Sequence, residues 1–204
     1  MNTVGRAMSD MLSHLSVALI VVLLPAGVAV SEDNPPPIYV DVGACPFECC
    51  TYRTWTVNDA TTLWNKPDGN AVVGSLRKGE VVQGLTGEVI SKPLAVKADH
   101  NIPAVRAGQS DADPGISIPT GDTFYVLHYD GEGYWKVWLD GKIAFVHESA
   151  MGNKTQPHPK ATWLVIGQNM PHPKADWWVK VKDAKGNVGW TLSDGHFLHQ
   201  DACE

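Results

Sequence analysis

Short alternating runs separated by turn residues make up most of the sequence after residue 50, where almost nothing has a helical period. The clearest example is Tyr134–Leu139, followed by Asp140, Gly141 and a second run over 142–146. Asp-Gly between two such runs is a strong hairpin signal, because both residues tolerate the positive φ of a type I′ turn. Alternation along the first run places three apolar side chains on one face: Trp135, Val137 and Leu139. The pattern therefore predicts an all-β fold.

A second copy of this hairpin occurs near the end of the chain. Residues 178–192 read as a strand, a turn and a strand, and Lys180-Val181 aligns with Lys136-Val137. The turns differ in length while the strands match, as expected of a duplicated unit. The sequence therefore predicts two small β modules.

Further strands are predicted ahead of the first hairpin. Residues 58–69 read as a strand that runs into a turn containing Pro67. Residues 72–82 contain two apolar runs on either side of a polar turn at 77–80.

In the order of these elements the chain resembles the bacterial Src-homology-3-like domain. The matching residues are Gly74, Leu76 and Gly79 for its G-x-L-x-x-G turn, Trp135, Lys136 and Val137 for its W-x-K-V strand without the spacer, and Gly189 and Trp190 for its closing Gly-Trp-Val strand. In the first copy Ala144-Phe145-Val146 replaces that closing strand. The resemblance covers about half of the mature chain. It implies small β-barrels that serve as binding or spacer modules outside the cytoplasm.

These observations predict how the chain is divided. The expected segments are a signal peptide over 1–29, a Pro- and Cys-rich extended lead over 30–51, a first barrel over 52–150 with a long insertion at 87–121, a linker over 151–160 and a second, shorter module over 161–204. Only residues 162–166 are left for the first half of the second module, so we expect it either to be incomplete or to borrow strands from the first. The insertion is expected to have ordered ends with short strands and a mobile centre near 108–116.

Residues 1–29 have the features of an export signal. Leu15–Leu24 is a run of ten residues that is apolar except for Ser16, about half of the ~20 residues that a membrane span needs. Small residues follow at Gly27 and Ala29, so cleavage is expected near Ala29. An uncleaved anchor or a buried core helix is the alternative. The pattern predicts a periplasmic or secreted protein with no membrane span after cleavage, and the net charge of −6 argues against a nucleic-acid partner.

Four cysteines agree with an oxidising compartment: Cys45, Cys49, Cys50 and Cys203. A bond between the neighbours Cys49 and Cys50 would be strained. We therefore expect Cys45 to pair with one of them and the other to reach Cys203. The alternative is a thiolate metal site, although the second C-x₂₋₄-C pair of a zinc site is missing.

Aromatic residues in or beside the loops are the candidates for ligand binding: Trp64, Tyr134, Trp138, Trp177 and Trp178. Their flat apolar faces suit Pro-rich peptides or sugar rings. The alternative is packing against the Pro-rich loops. Three other tryptophans are expected to fill cores: Trp135, Trp163 and Trp190.

A Pro-His-Pro-Lys-Ala sequence occurs twice, around His158 and around His172, and His196 and His199 follow near the C-terminus. Imidazoles that converged could bind copper or zinc. The alternative is a duplicated stiff turn, and we expect no cofactor.

Catalytic motifs are absent from the sequence, which contains no G-x-S-x-G, H-E-x-x-H or Walker pattern. The carboxylates of Asp111, Asp113 and Asp122 read as a solvated acidic loop. We therefore expect a non-enzymatic exported binding or scaffolding module that recognises peptidoglycan or an envelope protein. The alternatives are a metal-binding periplasmic protein that uses the Pro-His-Pro loops or the cysteine cluster, and a structural spacer.

Overall fold

The computed structural model describes residues 33–108, 115–151 and 172–203. Over these ranges the chain forms fourteen β-strands in two sheets and one short 3₁₀ turn at Glu148–Ala150. The predicted all-β class is confirmed. No helix within these ranges is long and apolar enough to cross a membrane. The predicted signal peptide over 1–29 lies outside the described residues.

The first sheet takes its strands from both ends of the described chain. They are β1 (Tyr39–Val42), β2 (Thr54–Val57), β3 (Thr61–Trp64), β4 (Val72–Leu76), β5 (Val81–Ser91), β12 (Ala175–Lys182), β13 (Val188–Leu192) and β14 (Phe197–Leu198). The second sheet is formed by β6 (Leu94–Lys97), β7 (Ile102–Arg106), β8 (Ile116–Ile118), β9 (Thr123–Gly131), β10 (Tyr134–Leu139) and β11 (Lys142–His147). The strand order of the first sheet is β14-β2-β5-β12-β13-β3-β4, and β1 also pairs with β5. The strand order of the second sheet is β6-β9-β10-β11-β7-β8.

Strand β5 is the centre of the first sheet. One of its edges pairs with β12, from Ser91 opposite Ala175 to Gln83 opposite Lys182. Its other edge pairs with β2 and β1. On that second edge β2 pairs with residues 81–83 and β1 with residues 88–91 of the eleven-residue strand.

This pairing differs from the predicted division into a barrel over 52–150 and a module over 161–204. The C-terminal strands β12 and β13 complete the sheet that β2 to β5 begin. Residues 162–166, the expected first half of the C-terminal module, lie outside the described residues. The residues between Ser91 and Ala175 supply the whole second sheet.

The segment predicted as a long insertion, 87–121, is largely strand. It supplies the end of β5 and the whole of β6, β7 and β8. Ile102, Ala104 and Ile118 point into the core of the second sheet, with exposed fractions of 1%, 4% and 0%. Alternation of buried and exposed residues therefore makes this segment part of a sheet. Residues 109–114, in its expected mobile centre, lie outside the described residues.

Both predicted hairpins are present. β10 pairs with β11 up to Leu139 opposite Lys142, and the turn residues Asp140 and Gly141 have φ of 50° and 74°. β12 pairs with β13 up to Lys182 opposite Val188. Both turns are encoded locally, which is why the sequence predicts them.

Each sheet has its own apolar core. The core of the first sheet consists of Trp55, Val57, Leu63, Leu76, Val82, Val179, Val181 and Phe197. The core of the second sheet includes Phe124, Val126, Val137, Val146 and, as predicted, Trp135.

Trp190 is buried, as predicted, with an exposed fraction of 9%, but it lies outside both core clusters. Its neighbour Gly189 faces Leu63 of the first core, so Trp190 points to the opposite face of the strand. On that face Trp190 lies opposite Trp64 on β3, and the Lys180 ammonium lies 5.7 Å from the centre of its ring. Trp163 lies outside the described residues.

Candidate functional site

Two disulfides fix the segment 45–50, here called the Cys loop. Cys45 pairs with Cys50, and Cys49 pairs with Cys203. This confirms the prediction of one local and one long-range bond, and it selects Cys50 as the local partner. The C-terminal tail also hydrogen-bonds to this region, since Ala202 N–H donates to the Cys49 carbonyl at 2.8 Å.

The disulfides overturn the alternative of a thiolate metal site. None of the four cysteines is free. The sulfurs of Cys49 and Cys203 lie near the Asp201 carboxylate, but both are in a disulfide and cannot act as thiolates.

A turn of the second sheet packs against the Cys loop at Gly131. Its φ is +103°, and a Cβ at this position would lie 3.2 Å from the carbonyl carbon of Phe47. Only glycine combines this backbone conformation with so close an approach. The turn between β9 and β10 is therefore held against the loop.

A cavity of about 370 Å³ opens between the Cys loop and the outer face of the second sheet. We call it the cleft. One wall is formed by Phe47, Glu48, Cys49 and Cys50, and the other by Val105, Arg106, Gly108, Asp130, Gly131, Glu132, Tyr134 and Phe145. Its volume lies within the range of small-ligand pockets.

Strand pairing explains which side chains face the cleft. Phe145 lies directly opposite Lys136 on one side and Val105 on the other. Directly opposed residues share a face of the sheet, and this face is opposite to the one on which Trp135 enters the core. Tyr134 is 36% exposed, and the edge of its ring packs against His147 at 4.9 Å between ring centres.

The charges in the cleft are mostly negative. Its lining contains three carboxylates, Glu48, Asp130 and Glu132, and one guanidinium, that of Arg106. Arg106 also contacts the carboxylate of Asp140 at 4.0 Å. Asp130 is paired with Lys136 Nζ at 3.0 Å, so Glu48 and Glu132 are the carboxylates of the lining that attract cationic groups.

A polar cluster behind the cleft joins the two sheets. Asp41 on β1 accepts hydrogen bonds from His128 Nε2 at 2.8 Å and from the Lys136 ammonium. Lys136 Nζ also contacts Asp130 Oδ1 at 3.0 Å. The His128 side chain is only 2% exposed, and those of Lys136 and Asp41 are 13% and 16% exposed.

The environment of this cluster shifts two pKa values. Burial acts to raise the pKa of Asp41, but the hydrogen bonds from His128 and Lys136 outweigh it and hold that pKa below its ordinary value. Burial acts to lower the pKa of Lys136, but its bonds to Asp41 and Asp130 outweigh it, so the pKa is raised. Both pKa shifts favour the ionised forms of Asp41 and Lys136.

The cluster has the donor atoms of a metal site but already contains a cation. Ligand atoms of Asp41, His128 and Asp130 lie within 4.8 Å of one another. The Lys136 ammonium bonds to both carboxylates. It therefore supplies the positive charge that a metal ion would bring, and the cluster serves as an ionic link between the sheets.

Of the predicted metal-ligand histidines, His172, His196 and His199 lie among the described residues. His158 lies outside the described residues. The edge of the His172 ring packs against Trp135, with 4.8 Å between ring centres. Within residues 33–108, 115–151 and 172–203, neither His172, His196 nor His199 belongs to a group of three possible ligands.

The five predicted ligand-binding aromatics are at different places. Tyr134 lines the cleft. Trp177 lines a second cavity, of about 470 Å³, on the other side of Phe47, here called the side cavity. Trp64, Trp138 and Trp178 line neither cavity: Trp178 is 9% exposed, and the Trp138 indole N–H donates to the Asp33 carbonyl at 3.2 Å.

Several residues of the cleft were not predicted: Phe47, Glu48, Val105, Arg106, Asp130, Glu132 and Phe145. The cysteine spacing offered a signal for the first two, because a local disulfide displays the few residues that it encloses. Glu132 stands between two glycines, Gly131 and Gly133, in a turn next to the predicted hairpin. Val105 and Arg106 came from the segment interpreted as an insertion, where no signal pointed to the cleft.

Comparison with protein-family models, with curated proteins and with solved structures gave no match.

Proposed function

We propose that the protein is an exported, non-catalytic binding module whose cleft holds the stem peptide of peptidoglycan. The observation that carries this proposal is the composition of the cleft, which combines aromatic walls with three carboxylates in a cavity of about 370 Å³. Sequence motifs for catalysis are absent, and the described residues of the cleft supply contacts for binding.

The chemistry of the cleft matches a short peptide with a free amino group. Phe47, Tyr134 and Phe145 offer apolar ring surface for alanine methyl groups. Glu48 and Glu132 are exposed acceptors for an ammonium group, and charge-assisted hydrogen bonds of this kind are stronger than neutral ones. Stem peptides of peptidoglycan contain both features, since they combine alanines with a diamino acid.

The walls of the cleft are fixed before a ligand arrives. Both disulfides end in the Cys loop, and Gly131 packs against its backbone. Preorganised walls lower the entropy that binding costs. The same disulfides support a location in the periplasm or outside the cell.

The resemblance to bacterial Src-homology-3-like domains supports a binding role in the cell envelope. Gly74 and Leu76 lie on β4 and Gly189 and Trp190 on β13, so the first sheet contains part of the residues that carry this resemblance. Domains of that family serve as binding or spacer modules, and the presence of the cleft favours the binding role over the spacer role.

Sedimentation with purified peptidoglycan tests the proposal. The wild-type protein is expected to co-sediment, and Tyr134→Ala and Glu132→Gln are each expected to weaken binding about tenfold, as for central contacts of an interface. Trp138→Ala is the matched control, because Trp138 is an aromatic residue of β10 outside the cleft, and it is expected to bind as the wild type does.

Absence of binding by the wild-type protein would overturn the peptidoglycan assignment. Soluble competitors distinguish the two ligands. If a basic peptide abolishes binding and soluble stem peptide does not, the ligand of the cleft is an envelope protein.

A further inference from the structure

We propose that the side cavity binds a sugar ring of the same ligand, so that the protein recognises a sugar joined to a peptide. This inference rests on the proposed function of the cleft. Phe47 lines both cavities, so the two binding positions share this side chain as part of their walls.

The lining of the side cavity suits a neutral sugar. Phe47, Trp177 and Leu192 supply apolar surface, and Asp176, Ser193, Asp194 and Gln200 supply polar groups. A pyranose presents C–H faces to aromatic rings and hydroxyl groups to carboxylates and amides. Among the described residues, the lining contains two carboxylates and no cationic side chain, so an anionic ligand is disfavoured.

Local structure fixes these groups in place. Trp177 on β12 packs edge-on against Phe47, with 5.6 Å between ring centres. A tight turn closed by the His196 N–H to the Ser193 carbonyl, at 2.6 Å, displays Asp194 at the surface. The Gln200 amide donates to the Ser193 hydroxyl at 3.0 Å, and Ser193 itself is 4% exposed.

The connection between the cavities matches the covalent structure of peptidoglycan. In that polymer the stem peptide is attached directly to a sugar through a lactyl group. Because Phe47 belongs to the walls of both cavities, the sugar attached to a peptide in the cleft would be on the same side chain as the side cavity. Joining two weak contacts in one molecule raises the affinity without any new contact.

Calorimetry with two probes tests the sugar site on the full-length protein. The probes are a synthetic stem tetrapeptide and the same tetrapeptide carried on its disaccharide. The wild-type protein is expected to bind the disaccharide-peptide about tenfold more tightly, which corresponds to about 1.4 kcal/mol. Asp194→Asn and Gln200→Ala are expected to remove this gain and leave the affinity for the bare peptide unchanged.

Two controls separate the sugar site from the cleft. Glu132→Gln is expected to weaken binding of both probes equally. Asp59→Asn removes an exposed carboxylate outside both cavities and is expected to change neither affinity.

Equal affinity of the wild-type protein for the two probes would overturn the sugar site and leave the cleft assignment standing. An equal loss for both probes in Asp194→Asn would also overturn it. Failure of both probes to bind the wild-type protein would overturn the proposed function of the cleft and the sugar site with it.

Discussion

At the scale of single residues, Asp41 links the first strand, β1, to the second sheet. Its carboxylate accepts bonds from His128 and Lys136, and its own strand pairs with β5 of the first sheet. Removing one charged group of a buried ionic cluster leaves the charges of the remaining groups buried and uncompensated. The two sheets are therefore joined by an interaction that responds to pH.

Asp41→Asn is expected to destabilise the protein by about 2–4 kcal/mol at pH 7, close to the values for breaking buried ion pairs. Because the folded-state pKa of Asp41 is lower than its ordinary value of 3.8, its contribution is present above that pH and is lost as pH falls through the folded pKa. Urea unfolding at several pH values measures this. The difference between wild type and variant is expected to shrink below about pH 4, and a constant difference down to about pH 2 would contradict this role of Asp41.

A substitution at Gly131 tests whether the β9–β10 turn packs on the Cys loop. Gly131→Ala is expected to cost about 1–3 kcal/mol through backbone strain, to push the turn away from Phe47 and to weaken ligand binding. Gly121→Ala is the control, because Gly121 has a similar φ of +93° and a methyl group added there would meet nothing within 4 Å. Denaturant unfolding and peptidoglycan sedimentation compare the two variants. Equal binding by both would show that the turn does not shape the cleft.

At the scale of elements, the two disulfides differ in what they constrain. The Cys49–Cys203 bond spans 154 residues and the Cys45–Cys50 bond spans 5. In the chain-entropy model these loops correspond to about 5 and about 2 kcal/mol. Thermal unfolding is therefore expected to show a larger loss for Cys49→Ala with Cys203→Ala than for Cys45→Ala with Cys50→Ala. The reverse order would mean that the short bond, through its local geometry, dominates.

The elements also show which parts of the fold the sequence could predict. The hairpins ending at Leu139 opposite Lys142 and Lys182 opposite Val188 depend on turn residues next to the strands, so local pattern is sufficient. The pairing of β5 with β12 joins residues on either side of the whole second sheet, and alternation does not specify a distant partner. Trp190 shows the same limit, because alternation predicted its burial without saying on which face of the sheet it lies.

At the scale of the whole molecule, the second sheet is inserted within the first. Lys92 N–H donates to the Lys174 carbonyl at 2.9 Å, and Ser91 lies opposite Ala175, so the two ends of the inserted segment are adjacent. Deletion of residues 92–174 with an Asn-Gly turn in their place is expected to leave a folded first sheet with both disulfides. A fragment over 52–150 lacks β12 and β13 and is expected not to fold. The dispersion of the amide NMR signals shows which of the two proteins is folded. A folded 52–150 fragment together with a disordered deletion variant would contradict the insertion of the second sheet within the first.

The candidate site depends on this arrangement, which is why the sequence predicted it only in part. The four cysteines and Tyr134 were recognised from local pattern. Tyr134 and three of the cysteines lie at the cleft or its loop, and Cys203 is bonded to that loop through Cys49. Arg106 and Asp130 reach the cleft because the second sheet packs beside the Cys loop, a long-range contact that no local motif encodes. The aromatic residues at Trp64 and Trp138 fit the ligand-binding composition equally well, and only the fold places them elsewhere.

Chemical-shift mapping with a soluble disaccharide-peptide of peptidoglycan tests the central claim most directly. We expect amide shifts concentrated at the Cys loop, at Val105 and Arg106, and over 130–134, with smaller shifts around Trp177 and Asp194. An unchanged spectrum at millimolar ligand, or shifts confined to the face around Trp64 and Trp190, would contradict the assignment of the cleft.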